Sequence, residues 1–113
     1  MSNFVYEIVS GTAEVSNADV NETVLAAVSG KSLRLLKGVV MVTVVADGGG
    51  EAALEDGAGG TKIFEVDTDA LGVYPIDFGD EGYPLTSGNV LNLNVSGATT
   101  EGTVRATFIA RAV

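Results

Sequence analysis

Histidine and cysteine are both missing from this chain, and each absence excludes a group of functions. Without cysteine no disulfide holds the fold together, and the composition leaves the redox compartment open. Without histidine the chain lacks the commonest general base, the usual zinc ligand and the usual charge switch near neutral pH. We therefore expect no enzyme, with no catalytic residues, no cofactor and no metal site.

Basic residues are scarce, since 6 lysines and arginines stand against 15 acidic residues and give a formal net charge of −9. A surface of this sign repels nucleic acid and anionic membranes, so we expect neither as a partner. Residues 1–4 contain no basic segment and no apolar one, which predicts that there is no signal peptide. The longest apolar stretch contains Arg34 and Lys37 and is too short to cross a bilayer.

Proline is also rare, with 2 residues, whereas glycine is frequent, with 15, and no long helical pattern is present. Short stretches rich in Val, Thr and Ile are separated by glycine-containing turns, which is typical of strands. The sequence predicts an all-β protein, an antiparallel β-sandwich or jelly roll of roughly seven to nine strands. Residues 1–113 form one domain, in which we assign residues 1–20 to an extended N-terminal arm or an edge hairpin.

The C-terminal part of the chain has the clearest strand pattern. In residues 89–95, Leu91, Leu93 and Val95 alternate with polar residues, and residues 103–110 alternate in the same way. The connection between the two stretches is small, polar and bounded by glycine. The pattern predicts two half-buried strands that are joined as a long β-hairpin and covered by the rest of the chain.

Residues 39–46 are the most apolar stretch, in which Thr43 is the only polar residue. Such a run is typical of a strand that is buried on both faces. In a small sandwich one face of each strand is normally wet, so the second dry face needs cover from core packing or from a subunit interface. The candidate interface residues are Val40, Val42 and Val44. Gly38, just before this run, predicts a bulge or a change of face.

Two kinds of motif suggest ligand chemistry but fit it poorly. Residues 29–32, Ser-Gly-Lys-Ser, match the end of a phosphate-binding loop, but the glycine required five positions before Gly30 is Leu25. Residues 67–69 and the acidic residues within 77–81 carry the oxygen ligands that calcium prefers, but their spacing does not fit a calcium loop. A plain turn and solvated loop carboxylates are the simpler interpretations.

Three segments together resemble small virion proteins of tailed bacteriophages. They are Ser-Gly-Lys-Ser-Leu-Arg-Leu-Leu at residues 29–36, Leu-Thr-Ser-Gly-Asn-Val-Leu-Asn-Leu-Asn-Val-Ser-Gly-Ala at residues 85–98, and Glu-Gly-Thr-Val at residues 101–104. The resemblance extends over roughly residues 24–112. It implies a jelly-roll sandwich that is made in the host cytoplasm, forms a homotrimer and binds the major capsid protein on the virion surface as a decoration, or cement, protein.

The resemblance also implies where contacts would lie. The apolar strand would lie near a three-fold axis, and the loop of residues 47–51 or the N-terminal arm would touch the capsid. The candidate capsid-contact residues are Phe4, Tyr6, Asp47 and Glu51. The alternatives are a receptor- or glycan-binding head module of a phage fibre, with Tyr83 as its best exposed contact, and a head–tail or tail structural protein. A fibre module is expected behind a long shaft, and the sequence shows none, which favours the decoration protein.

Overall fold

A computed structural model describes residues 7–16, 20–44, 50–68, 70–96 and 102–113. These residues contain nine strands and no helix, which confirms the prediction of an all-β protein. The strands are β1 (Glu7–Ser16), β2 (Val20–Leu25), β3 (Leu33–Val44), β4 (Glu51–Asp56), β5 (Lys62–Asp67), β6 (Gly72–Asp77), β7 (Tyr83–Pro84), β8 (Leu91–Ser96) and β9 (Gly102–Ala112).

The strands form two antiparallel sheets that pack face to face, so the predicted β-sandwich is confirmed. Sheet A has the order β1-β9-β3-β6, and the two-residue β7 pairs with β3 beside β6. Sheet B has the order β2-β8-β4-β5. Residues 7–16, assigned from the sequence to an arm or an edge hairpin, pair along their whole length with β9 and are the edge strand of sheet A.

The predicted C-terminal hairpin is wrong, because β8 and β9 belong to different sheets. β8 lies between β2 and β4 in sheet B, and β9 lies between β1 and β3 in sheet A. Their dry faces meet across the sandwich, where Leu93 and Phe108 are both buried in one core cluster. Alternation identifies the dry face of a strand, but it does not identify the strand's neighbour.

Phe108 occupies the middle of the core, and the backbone beside it is adapted to its ring. Gly38 of β3 pairs with Phe108, and a Cβ at this glycine would collide with the ring and with the carbonyl of Thr107. Full burial of such a side chain contributes about 1.5–3 kcal/mol. The predicted bulge at Gly38 lies instead between Leu35 and Lys37, where the β3–β9 register shifts.

The two sheets also approach each other closely at their edges. At one side, β1 passes β2 so closely that a Cβ on Gly11 would collide with the carbonyl of Val24. At the other side, the rings of Phe64 and Tyr74 lie 6.1 Å apart between β5 and β6. The interior is therefore filled by side chains of this chain, and the outer faces of the two sheets are the largest surfaces that the described strands present.

Candidate functional site

We define the A face as the outward side chains of sheet A and the B face as those of sheet B. The A face consists of Ile8, Ser10, Thr12 and Glu14 of β1; Thr103, Arg105, Thr107, Ile109 and Arg111 of β9; Arg34, Lys37, Val39, Met41 and Thr43 of β3; and Val73, Pro75 and Asp77 of β6. The B face consists of Asn21 and Thr23 of β2; Asn92, Asn94 and Ser96 of β8; Glu51, Ala53 and Glu55 of β4; and Lys62, Glu65 and Asp67 of β5.

Exposed apolar side chains concentrate on the A face. Among the described residues the large hydrophobic side chains that are exposed are Ile8 (56%), Leu71 (61%), Val73 (60%) and Val113 (53%). Ile8 and Val73 belong to the A face, Leu71 directly precedes β6, and Val113 directly follows β9. Ile8 and Val73 lie on the two opposite edge strands of sheet A, and the half-buried Val39 and Met41 lie on β3 between them, so the A face is apolar in part.

Four charged residues of the A face are arranged as two pairs of opposite sign. Nε and Nη2 of Arg105 donate to one carboxylate oxygen of Glu14, at 3.0 and 2.7 Å. Lys37 and Asp77 are directly opposite each other on adjacent strands. Cross-strand neighbours of opposite sign attract each other, so these charges cancel locally.

Two further arginines hold the loop between β6 and β7 against the A face. Nη1 of Arg34 donates to the carbonyl of Glu81 at 3.0 Å, and Nη2 of Arg111 donates to the carbonyl of Asp80 at 2.8 Å. The side chains of these two loop residues are both exposed. With this loop included, the A face carries four basic and four acidic residues, and its formal charge is zero.

Two hollows among the described residues of the A face are small. One has a volume of about 100 Å³ and is lined by Glu14, Met41, Thr43, Thr103 and Arg105. The other has a volume of about 170 Å³ and is lined by Leu36, Lys37, Asp77, Gly79, Asp80 and Ile109. Small-molecule sites usually measure about 300–1,000 Å³. Each hollow has room for a side chain of a partner protein, and neither resembles an enzyme pocket.

The B face is built on a network of amides and a carboxylate. Nδ2 of Asn92 donates to Oδ1 of Asn21 at 2.9 Å and to Oε1 of Glu55 at 3.0 Å. Asn94 donates to the same oxygen of Asn21 at 2.9 Å, and the backbone N–H of Gly59 donates to Glu55 at 3.1 Å. Asn92 and Glu55 are only 3% and 6% exposed, so these bonds replace the water that both groups lose.

A cluster of charged side chains lies at one side of the B face. Nζ of Lys62 is 2.6 Å from Oε1 of Glu51 and 3.2 Å from Oε2 of Glu65. The hydrogen bond from Lys62 lowers the pKa of Glu51 below its ordinary 4.5, and the bond to Glu51 raises the pKa of Lys62 above 10.5. Since Glu55 and Asp67 are also acidic, the B face has four acidic residues and one basic residue, a formal charge of −3.

Asp56, at the end of β4, ties two loops together beside the B face. Its carboxylate accepts hydrogen bonds from Nδ2 of Asn89 at 2.9 Å and from Oγ1 of Thr86 at 2.8 Å, and also from the N–H of Thr86. Burial raises the pKa of Asp56, but the bonds from Asn89 and Thr86 outweigh it, and the net pKa lies below 3.8.

The candidate interface residues on β3 point into the core rather than outward. Val40 and Val42 are each 1% exposed and pack within the chain. The outward apolar residues of the same strand are Val39 and Met41, which are half-buried. The strand therefore has one dry inner face and one partly apolar outer face, and the side chain of Val44 lies outside the described structure.

The candidate capsid-contact residues fall largely outside the described structure, as Phe4, Tyr6 and Asp47 do. Glu51, expected in a loop, is the first residue of β4 and contacts Lys62. Tyr83 is half-buried, and its ring lies 5.3 Å from that of Phe78.

The weak ligand motifs have local structural roles where they are described. The backbone N–H of Lys31 donates to the carbonyl of Val28 in a turn, and its side chain pairs with Glu7 at 3.4 Å. Oδ1 of Asp77 accepts from the N–H of Gly79 at 2.8 Å. Within the described ranges no group of three or more acidic residues is placed to hold a metal ion. The same ranges include no helix long and apolar enough to cross a membrane.

The chain matches no model of a known protein family and no characterised protein. Inference about function therefore depends on the geometry of the two outer faces and on the sequence resemblance. Sequence reasoning missed the A face, although Val39, Met41, Val73 and Pro75 are readable as outward residues once the inner face of each strand is known.

Proposed function

We propose that the protein is a structural virion protein that binds the major capsid protein on the outer surface of a phage capsid and stabilises the shell as a homotrimeric decoration protein. The assembly part of this proposal is supported by the A face, which is large, uncharged overall and partly apolar. Such a face suits contact with another protein. The small volume of its hollows argues against a small-molecule substrate.

We also propose the jelly-roll topology, which viral capsid proteins use. The antiparallel pairs β4–β5, β3–β6, β2–β8 and β1–β9 are nested in sequence, as in one long hairpin. Its strands are distributed over two sheets of order β1-β9-β3-β6 and β2-β8-β4-β5. This nesting supports a hairpin rolled into two Greek keys, with the short β7 as an addition.

The contacts with the capsid are proposed at Glu51 and Asp47 together with Phe4 and Tyr6. Glu51 belongs to the acidic B face, whose formal charge of −3 suits a basic patch on the shell. The net charge of −9 keeps the protein away from packaged DNA. The proposed location is therefore the outside of the virion.

The test is co-sedimentation of the purified protein with empty capsids of the virus that encodes it. We expect binding, and we expect the decorated shells to withstand a higher temperature than bare ones. Deletion of residues 1–6, which leaves β1 intact, and Glu51→Ala should each weaken binding, whereas Glu22→Ala on the exposed edge of β2 should not. Protein that stays in the supernatant at all concentrations would refute the decoration role.

The asparagine and glutamate network of the B face favours a second candidate, a glycan-binding head module of a phage fibre. Amide and carboxylate groups in a row are the groups that bind sugar hydroxyls. Binding of the protein to a panel of bacterial surface glycans, abolished by Asn94→Ala and unaffected by Thr107→Ala on the A face, would favour this function. A tail or head–tail protein would instead form a ring larger than a trimer.

A further inference from the structure

We propose that the A face is the surface through which a second copy of this chain docks, with Val39, Met41 and Val73 near the centre of the contact. The inference deepens the proposed function and rests on it for the assumption that copies assemble. It replaces the inward-pointing Val40 and Val42 with residues that a neighbouring molecule can reach.

Charge argues that the occupant is another copy. The A face and its loop have 4 acidic and 4 basic residues and no net charge, whereas the other described residues, 7 acidic and 2 basic, carry a net charge of −5. Two copies, each at −9, repel each other wherever their acidic surfaces meet. Two copies of a strongly acidic molecule repel each other least where they meet through surfaces with no net charge. A different partner protein that is not acidic would not need a neutral surface.

The size and polarity of the face agree with this occupant. It presents 17 strand side chains, four from β1, five from β9, five from β3 and three from β6, with Leu71 and Val113 beside them. A stable interface uses roughly 20–30 residues per partner. The B face offers no comparable apolar surface among its described residues, where the charged and amide groups already bind one another.

The contact is made by the face of the sheet rather than by its edge. β6 is the edge strand of sheet A on this side, and Pro75 lies in its middle. Proline has no N–H to donate, so another strand cannot add to β6 with a continuous ladder. Val73 and Pro75 therefore contribute side chains to the interface, and the hollow beside Met41 receives a side chain of the second copy.

The experiment measures the mass of the purified full chain by sedimentation velocity, from about 1 to 100 µM, a range chosen to span typical weak-to-moderate association. We expect wild type to be oligomeric at the upper concentrations. Val73→Asp should dissociate it, with a dissociation constant at least about 100-fold higher, because a charge would be buried without a partner. Thr23→Asp is the matched control, since it adds the same charge to an exposed outward position on β2, the edge strand of sheet B.

Folding is checked by circular dichroism and by the midpoint of urea denaturation. If Val73→Asp is unfolded, Met41→Lys gives the same test from the adjacent strand with a charge of opposite sign. A wild type that is monomeric throughout the range, or a Thr23→Asp variant that dissociates as far as Val73→Asp, would overturn the proposal.

Salt distinguishes a second copy docked through neutral faces from attraction between an A face and an acidic B face. In the first arrangement the remaining charges repel, so raising the salt from about 20 to 500 mM should tighten association by about tenfold. Weaker association in high salt would refute docking through the neutral face. Capsid co-sedimentation separates this inference from the proposed function. Capsid binding by a wild type that is monomeric would refute only the self-docking surface, and self-association without capsid binding would refute only the decoration role.

Discussion

An inner strand of sheet A, β9, directs threonine, arginine and isoleucine outward, whereas an inner strand of sheet B, β8, directs asparagine and serine outward. On the B face these amides bind each other and Glu55, so its polar groups are satisfied within the chain. On the A face Glu14 binds Arg105 and Asp77 lies opposite Lys37, and the apolar side chains of Val39 and Met41 remain partly exposed. The B face is therefore polar and acidic, whereas the A face has no net charge and is partly apolar.

The largest effect is expected on the inner side of sheet A. Val42→Asp puts a carboxylate where the side chain is 1% exposed and should destabilise the fold by more than about 4 kcal/mol. Thr43→Asp, one residue further and exposed on the A face, loses the hydrogen bond from the Thr43 hydroxyl to the carbonyl of Thr103 and should cost about 1 kcal/mol. Urea denaturation followed by circular dichroism measures both. Equal stability of the two variants would contradict the assignment of inner and outer residues on β3.

The next largest loss of stability is expected from a comparison of one outward position on each face. Asn92→Asp removes the amide donor and places a second carboxylate about 3 Å from Glu55, at a cost of about 2–4 kcal/mol at pH 7. Thr107→Asp, at an outward position of β9, should cost less than about 1 kcal/mol.

The pH dependence of Asn92→Asp follows from the repulsion. The neighbouring Glu55 and burial raise the pKa of the new carboxyl in the folded state above its unfolded value of about 4. The destabilisation is therefore smallest below about pH 4 and grows as the pH rises. A cost that is independent of pH would contradict the close approach of the two groups.

A smaller effect is expected where the B face is joined to its loops. Asp56→Asn loses charge-assisted hydrogen bonds to Thr86 and Asn89 and should cost about 1–2 kcal/mol. Because the folded pKa of Asp56 lies below 3.8, its contribution is complete above this pH and is lost as the pH falls through the folded pKa. Thermal unfolding at pH 7 and at low pH measures this, with Asp67→Asn on the exposed end of β5 as the control. An Asp56→Asn variant as stable as wild type at pH 7 would contradict the role of Asp56 in tying the two loops together.

The smallest effect concerns the ion pairs of the two faces. Lys62→Met should let the pKa of Glu51 rise back toward 4.5, whereas Arg105→Met on the A face should leave it unchanged. The pair contributes to stability between the ordinary pKa values of 4.5 and 10.5, and it fades below the lowered pKa of Glu51 and above the raised pKa of Lys62. NMR titration of the Glu51 carboxyl measures the change. If the pKa of Glu51 is the same in Lys62→Met as in wild type, the pair does not persist in solution.

Local pattern predicted the strands well because alternation depends on residues two positions apart. It placed β5 and the strand character of β8 and β9, but it could not choose their neighbours. The partners of Asn92 on the B face are Asn21 and Glu55, which are 71 and 37 residues away in sequence. When residues so distant in sequence bury a polar side chain, the residues next to it in the sequence do not reveal it.

Composition gave wrong predictions where it ignored the position of glycines and the face of the strand on which apolar residues lie. The glycines before Glu51 suggested a loop, although β4 begins at that residue. The run around Val40 suggested two dry faces, although Val39 and Met41 only border an open surface. An apolar outward residue looks the same in sequence whether a core or a partner covers it, so the A face became visible only when the sheets were known.

The pairing of β1 with β9 determines how the domain would respond to a mechanical load. Glu7 is opposite Ala112, so the two ends of the described chain leave sheet A at the same corner. A tension that pulls these ends apart would break the hydrogen bonds between β1 and β9 one pair at a time, starting from that corner. A load borne across the sheet through a partner would instead be shared by many bonds at once.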